Sequence, residues 1–145
     1  MGVEVNVWGV LLAAISSMVV GSLWYMPAGF GKQWMKLTGI TMEKMRGARQ
    51  SSTGMIWVYG SVFIASLIMA YVLAAMTFLA TRYTHDSYLQ DSLMLGLWLW
   101  LGFTAGRIYV HDTFEMRRKK LTILNSAHEL ATVLVMALIL GFLHP

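Results

Sequence analysis

Apolar residues along this chain gather into four long runs, at about 5–26, 55–80, 92–111 and 120–143, separated by three polar connectors. A helix rises about 1.5 Å per residue and a bilayer's hydrocarbon core is about 30 Å thick, so each run predicts a membrane-spanning helix. Small residues recur at every fourth position in the first two runs: Ala13, Ser17 and Gly21, then Ser66, Ala70 and Ala74. Such stripes let helix backbones approach closely in lipid. In the third run Gly102 and Gly106 have the G-x-x-x-G spacing, a packing signal that leaves open whether the partner lies in the same chain.

The first connector, 28–53, has a pattern of its own. Trp24, Tyr25 and Pro27 close the first run, tryptophan and tyrosine favouring the headgroup level and proline discouraging further helix. Trp34, Met35 and Leu37 interleave with Lys32 and Lys36, which predicts a segment lying on the membrane surface, anchored to lipid rather than selecting a headgroup. Thr41 has the side-chain oxygen to cap a short helix over 42–49.

The fourth run departs from hydrocarbon. It carries Asn125, Ser126, His128 and Glu129 where a span usually has only apolar side chains. An ionisable group at mid-membrane costs at least about 2.5 kcal/mol and faces a bundle interior or water. Asn125, His128 and Glu129 stand at i, i+3 and i+4, so they share a helix face, with Thr122 and Thr132 nearby. Counted from Lys120, Glu129 lies about 13 Å along the axis, near mid-membrane. Arg107 enters from the same side about a turn before the third run ends. The expected pairing is Arg107 with Glu129, with His128 or Asn125 completing the hydrogen bonds, and snorkelling of Arg107 to the interface is an equal alternative. A network that fixes helix register is favoured over a ligand or proton site.

Composition supports lipid as the solvent. Of the 145 residues, 57% are hydrophobic and 12% charged, against about 25% charged in soluble domains. The net charge of +4 is small and localised, which gives no reason to expect nucleic acid as a partner. Lys32, Lys36, Lys44, Arg46 and Arg49 occupy the first connector and Arg117, Arg118, Lys119 and Lys120 the third, while the termini and the middle loop hold only Arg82. By the positive-inside rule both basic connectors face the cytoplasm and both termini lie outside, in a cytoplasmic (inner) membrane. The leader before the first run has Glu4 and no basic residue, so that run reads as a retained helix rather than a secretory signal.

The absence of cysteine excludes disulfides, thiolate metal sites and cysteine nucleophiles. His128 and Glu129 lack the second histidine of a zinc-hydrolase helix, Thr132 occupying its place. His111, Asp112, His128 and Glu129 are nitrogen and oxygen ligands, but the first pair is expected at the surface and the second buried, so no metal is expected. No phosphate loop, nucleophile elbow or dinucleotide fingerprint occurs, and no cofactor is implied.

Leu23-Trp24-Tyr25-Met26-Pro27, then Phe30-Gly31-Lys32, Trp34-Met35 and Leu37-Thr38-Gly39, form one recognisable series. Phe114-Glu115 with Arg117, Arg118, Leu121, Asn125 and His128 form a second. Together they resemble the small membrane proteins of the domain of unknown function seventeen sixty-one family, over essentially the whole chain. Met26 stands where that family would lead one to expect serine, and Glu129 where an apolar residue is more usual. The resemblance implies a four-span integral membrane protein and no particular activity.

The expectation is an all-α, integral membrane four-helix bundle of one domain, with an interfacial segment between spans one and two. Its function is expected to be that of a non-enzymatic membrane component among membrane lipids, as a homo-oligomer or beside a partner subunit. One alternative is a small transporter or proton-coupled channel using Arg107, His128 and Glu129. Another is a membrane enzyme acting on a lipid or quinone, which needs a pocket running from the Trp24 to Trp34 segment towards His128.

Overall fold

The computed structural model describes residues 2–49 and 52–145; Met1, and Gln50 and Ser51 of the first connector, lie outside the described residues. Helix α1, Val7–Tyr25, is capped by Asn6, whose Oδ1 accepts from Trp8 N at 3.0 Å and Gly9 N at 3.2 Å. It ends where Met26 turns extended ahead of Pro27, since proline crowds the helical conformation of the residue before it. Helix α2, Gly31–Thr38, stops at Gly39, which takes the left-handed conformation at φ 73° that glycine adopts without cost. Helix α3, Met42–Arg49, has Thr41 Oγ1 accepting from Lys44 N at 3.3 Å, the expected cap.

Helix α4, Ser52–Thr84, runs beyond the expected 55–80 at both ends. The third span combines α5, Tyr88–Leu99, a π-helical turn at Trp100–Ala105 and α6, Gly106–Phe114. Helix α7, Lys119–Phe142, completes the chain, and no strand occurs among the described residues. Among the described residues four helical runs are long and apolar enough to cross a membrane: Val7–Tyr25, Thr53–Thr84, Tyr88–Phe114 and Lys119–Phe142.

These four runs pack antiparallel in a ring, each against its neighbours in sequence, with α1 against α7 closing the circle. The small-residue stripes of the first two spans meet through Ser17 and Ser66, while Gly21, the last of the first stripe, faces α7, where a Cβ would lie 3.5 Å from His128 Nε2. Ala13, Ala14 and Ser17 are buried with Ser66, Ala70 and Ala74, and the Ser17 and Ser66 hydroxyls lie 2.7 Å apart. On the other side of the ring a Cβ on Gly96 would sit 3.2 Å from Val133 Cγ1, and Ser92 Oγ donates to Ala137 O at 2.9 Å. Small residues thus form the core with Leu73, Met136 and Leu140, while Trp57, Trp98, Phe103 and Phe142 point outward. That inversion suits a lipid solvent, where association rests on close packing rather than on hiding large apolar groups. Gly102 and Gly106 are both exposed, and a Cβ on either would meet no other span among the described residues.

Each end of the third span is tied to a neighbour by a buried aspartate. Asp91 Oδ2 accepts from Thr84 Oγ1 at 2.8 Å at one end, and Asp112 Oδ2 accepts from Thr122 Oγ1 at 2.7 Å at the other. A buried carboxylate is costly unless it accepts hydrogen bonds, and each of these finds one on the adjacent helix.

Candidate functional site

The turn after α1 folds the interfacial helix back over the bundle. Phe30 N donates to Trp24 O at 2.8 Å, and Gly29 N and Gly31 N both donate to Met26 O, at 2.9 and 3.1 Å. A Cβ on Gly31 would collide with Tyr25 O, so only glycine allows the chain to return so tightly. Trp24 packs on Phe30 with ring centroids 4.6 Å apart, and Trp34 meets Tyr25 edge-on at 5.5 Å. Pro27 and Lys32 are exposed at this turn. The Trp24 to Trp34 motif is therefore a device that lays α2 across the end of the bundle holding both basic connectors.

Beneath α2 lies an open cavity of about 900 Å³. Tyr25 from α1 and Trp34, Leu37 and Thr38 from α2 form one wall, with Ile40 beside them. Ile108 and Asp112 from α6 face them, and Leu121, Asn125 and Glu129 rise along α7. Glu115, Met116, Arg117 and Arg118 rim the mouth.

Three of the four expected intramembrane residues come together. Tyr25 Oη donates to Asn125 Oδ1 at 3.2 Å, tying α1 to α7. The largely buried ring of His128 packs on Tyr25 at 4.9 Å and Trp24 at 5.8 Å between centroids, with Nε2 3.5 Å from Thr132 Oγ1. Its Nδ1 lies 3.4 Å from Glu129 Oε1, and the Glu129 side chain is a third exposed, on the cavity wall. Trp24 Nε1 is buried with no hydrogen-bond partner among the described residues.

Arg107 does not join them. It is exposed and makes no ion pair among the described residues, so the expected Arg107 to Glu129 pairing is not formed. The direction of its side chain, outward from the bundle, is what keeps Arg107 from Glu129. A π turn absorbs one extra residue, so a regular α-helical wheel drawn from the start of the span falls one residue out of step after it. Phe103 is 75% exposed while Thr104 is half-buried, and downstream the inward positions are Ile108 and Asp112 rather than Arg107 and His111. Trp100 braces the turn by donating from Nε1 to Ser126 O at 2.9 Å.

Asp112 is the site residue that sequence reasoning placed at the surface and the structure buries, at 6% exposure. Besides Thr122 it faces Arg117 Nε at 3.7 Å, and Arg117 also pairs with Glu115, whose Oε1 lies 3.3 Å from His111 Nδ1. His111, Asp112 and Glu115 bring three ligand atoms within 4.8 Å of one another, but Arg117 already supplies the cation to both carboxylates. Thr122, ten residues on at the start of a predicted helix, was the one signal in the sequence.

Fold and site together define a small, four-span helical membrane protein with a partly polar cavity at its basic end. Residues 8–141 match the model of a family described as protein of unknown function (DUF1761), and the chain belongs to that family. No curated protein and no solved structure gives a match to it.

Proposed function

We propose that this chain is a non-enzymatic, multi-pass component of the cytoplasmic membrane that holds a small amphipathic molecule in the cavity under α2. One observation carries the reading: Tyr25 and Trp34 from the interfacial stretch and Asn125 and Glu129 from the last span line a single space of about 900 Å³. Small-molecule sites have volumes of about 300–1,000 Å³ and mix apolar walls with a few placed polar groups. The Tyr25–Asn125, Thr122–Asp112 and Arg117–Asp112 contacts hold the walls in position, which supports retention of a ligand over its conversion.

Orientation belongs to the same proposal. With the two basic connectors in the cytoplasm and both termini outside, the cavity opens at the headgroup level of the inner leaflet. A second reading, a membrane enzyme acting on a lipid or quinone, draws support from the His128 ring lying against Tyr25, a cavity wall residue.

Native mass spectrometry of the protein in lipid nanodiscs tests both. The wild-type chain should carry a bound small molecule in one chemical form, and Ile108→Trp, which fills the cavity, should lose it while keeping its helical circular dichroism. Equal small-molecule content in both would overturn the proposal. A substrate and product pair that collapses to one form in His128→Gln would favour the enzyme.

A further inference from the structure

The charges around the cavity are not evenly satisfied. Near the mouth Arg117 lies against both Asp112 and Glu115, with His111 beside Glu115, so each of those carboxylates has a guanidinium next to it. Arg118 is exposed to water at the rim. Glu129 lies eleven residues further along α7, about 16 Å along the axis at the helical rise, out of salt-bridge reach of Arg118. It accepts no hydrogen bond and pairs with no Lys or Arg among the described residues, and the ring of the adjacent His128 lies 3.4 Å from it.

A carboxylate at that depth is costly without a counter-charge, and the neighbouring walls are suited to one. Asn125 stands one helical turn from Glu129 on the same face, and the Tyr25 hydroxyl is bonded to it. Tyr25 and Trp34 meet edge-on at 5.5 Å, and both line the same space as Glu129, forming an aromatic corner in its wall. Aromatic faces attract cations within about 6 Å of the ring centre, most strongly where water is excluded. The apolar side chains of Leu37, Ile108 and Leu121 complete the walls.

We propose that this cavity takes a lipophilic cation, a quaternary or protonated amine or its phosphonium equivalent on an apolar body, with Glu129 as counter-ion and Tyr25 and Trp34 as the cation-binding faces. The inference rests on the cavity reading above and adds the sign of the ligand's charge. Glutamate beside paired aromatics attracts a cation by charge and by ring quadrupole at once, whereas an anion in that position would meet repulsion from both.

Two probes of the same shape and opposite charge make the test direct. Equilibrium dialysis of the full chain in nanodiscs, with protein-free nanodiscs as blank, should show saturable binding of tetraphenylphosphonium and none of tetraphenylborate. Glu129→Gln should weaken the phosphonium at least tenfold, a loss of about 1.4 kcal/mol, and Glu129→Asp should recover part of it. Trp34→Ala should weaken it severalfold while Trp34→Phe, which keeps a ring face, holds near wild type. That pair decides the matter even if the Glu129 variants unfold. Borate binding as tight as phosphonium, or affinities within twofold across all four variants, would overturn the inference. Failure of both probes beside a neutral molecule retained in native mass spectrometry would overturn the cation and leave the cavity reading standing; loss of both results would remove the two together.

Discussion

Single side chains in this protein act mainly by where they let the backbone go. Gly31 is the clearest case, with Tyr25 O occupying the space that a Cβ would need. Gly31→Ala is expected to push α2 off the cavity and to lower stability by about 1–3 kcal/mol, the usual cost of overpacking. Thermal melting in nanodiscs reads the stability, and weakened quenching between Trp34 and its surroundings reads the displaced helix. A melting point unchanged from wild type would show that the turn relaxes freely. The Phe30-Gly31-Lys32 series was legible in the chain as a motif, but its physical cause was not, because the carbonyls it packs on are named only once α1 has ended and the chain has reversed. Asp112 shows the opposite limit. Its charge suggested the surface, and only the hydroxyl of Thr122 and the guanidinium of Arg117, brought in from beyond its own helix, offset the cost of its burial.

The ends of the long helices were not readable from hydropathy, α4 and the third span both running past the apolar runs. That four such helices occur was readable, because a span must be apolar for about 20 residues to remain in lipid. Azimuth was less so, and the π turn at Trp100–Ala105 is the reason. Removing one residue from such a turn restores α geometry and leaves the flanking helices in place, whereas removing one from regular helix rotates the downstream segment by about 100°. Deleting Gly102, which has open space around it, should therefore keep Asp112 against Thr122. Deleting Tyr109 should turn Asp112 away and cost at least about 1–3 kcal/mol more, through an unpaired buried group. Equal destabilisation by the two deletions, measured by denaturation in the same lipid, would refute the phase argument. The small-residue stripes divide in the same way. Those of α1 and α4 meet through Ser17 and Ser66, while Gly102 and Gly106 are exposed, a distinction that identical four-residue spacing does not carry.

For the molecule taken entire, the proposed orientation has a simple check, since the chain has no cysteine to confuse labelling. A cysteine placed at Lys119 should react with an impermeant reagent only from the cytoplasmic side, and one at His144 only from outside. The reverse pattern would invert the bundle and put the cavity mouth in the other leaflet. Composition and run length were sufficient to establish the helical class and the number of apolar spans, because partition into lipid depends on summed transfer energies that need no knowledge of neighbours. The polar face of α7 was equally plain, since Asn125, His128 and Glu129 share a side of any regular helix. Which groups answer that face was settled by the packed chain. The ring order sets α1 against α7, the tight turn at Gly31 swings Trp34 over it, and the π turn presents Ile108 where Arg107 was expected. Contacts between residues a hundred positions apart, such as Tyr25 with Asn125, depend on the directions of helices rather than on the pattern within any one of them.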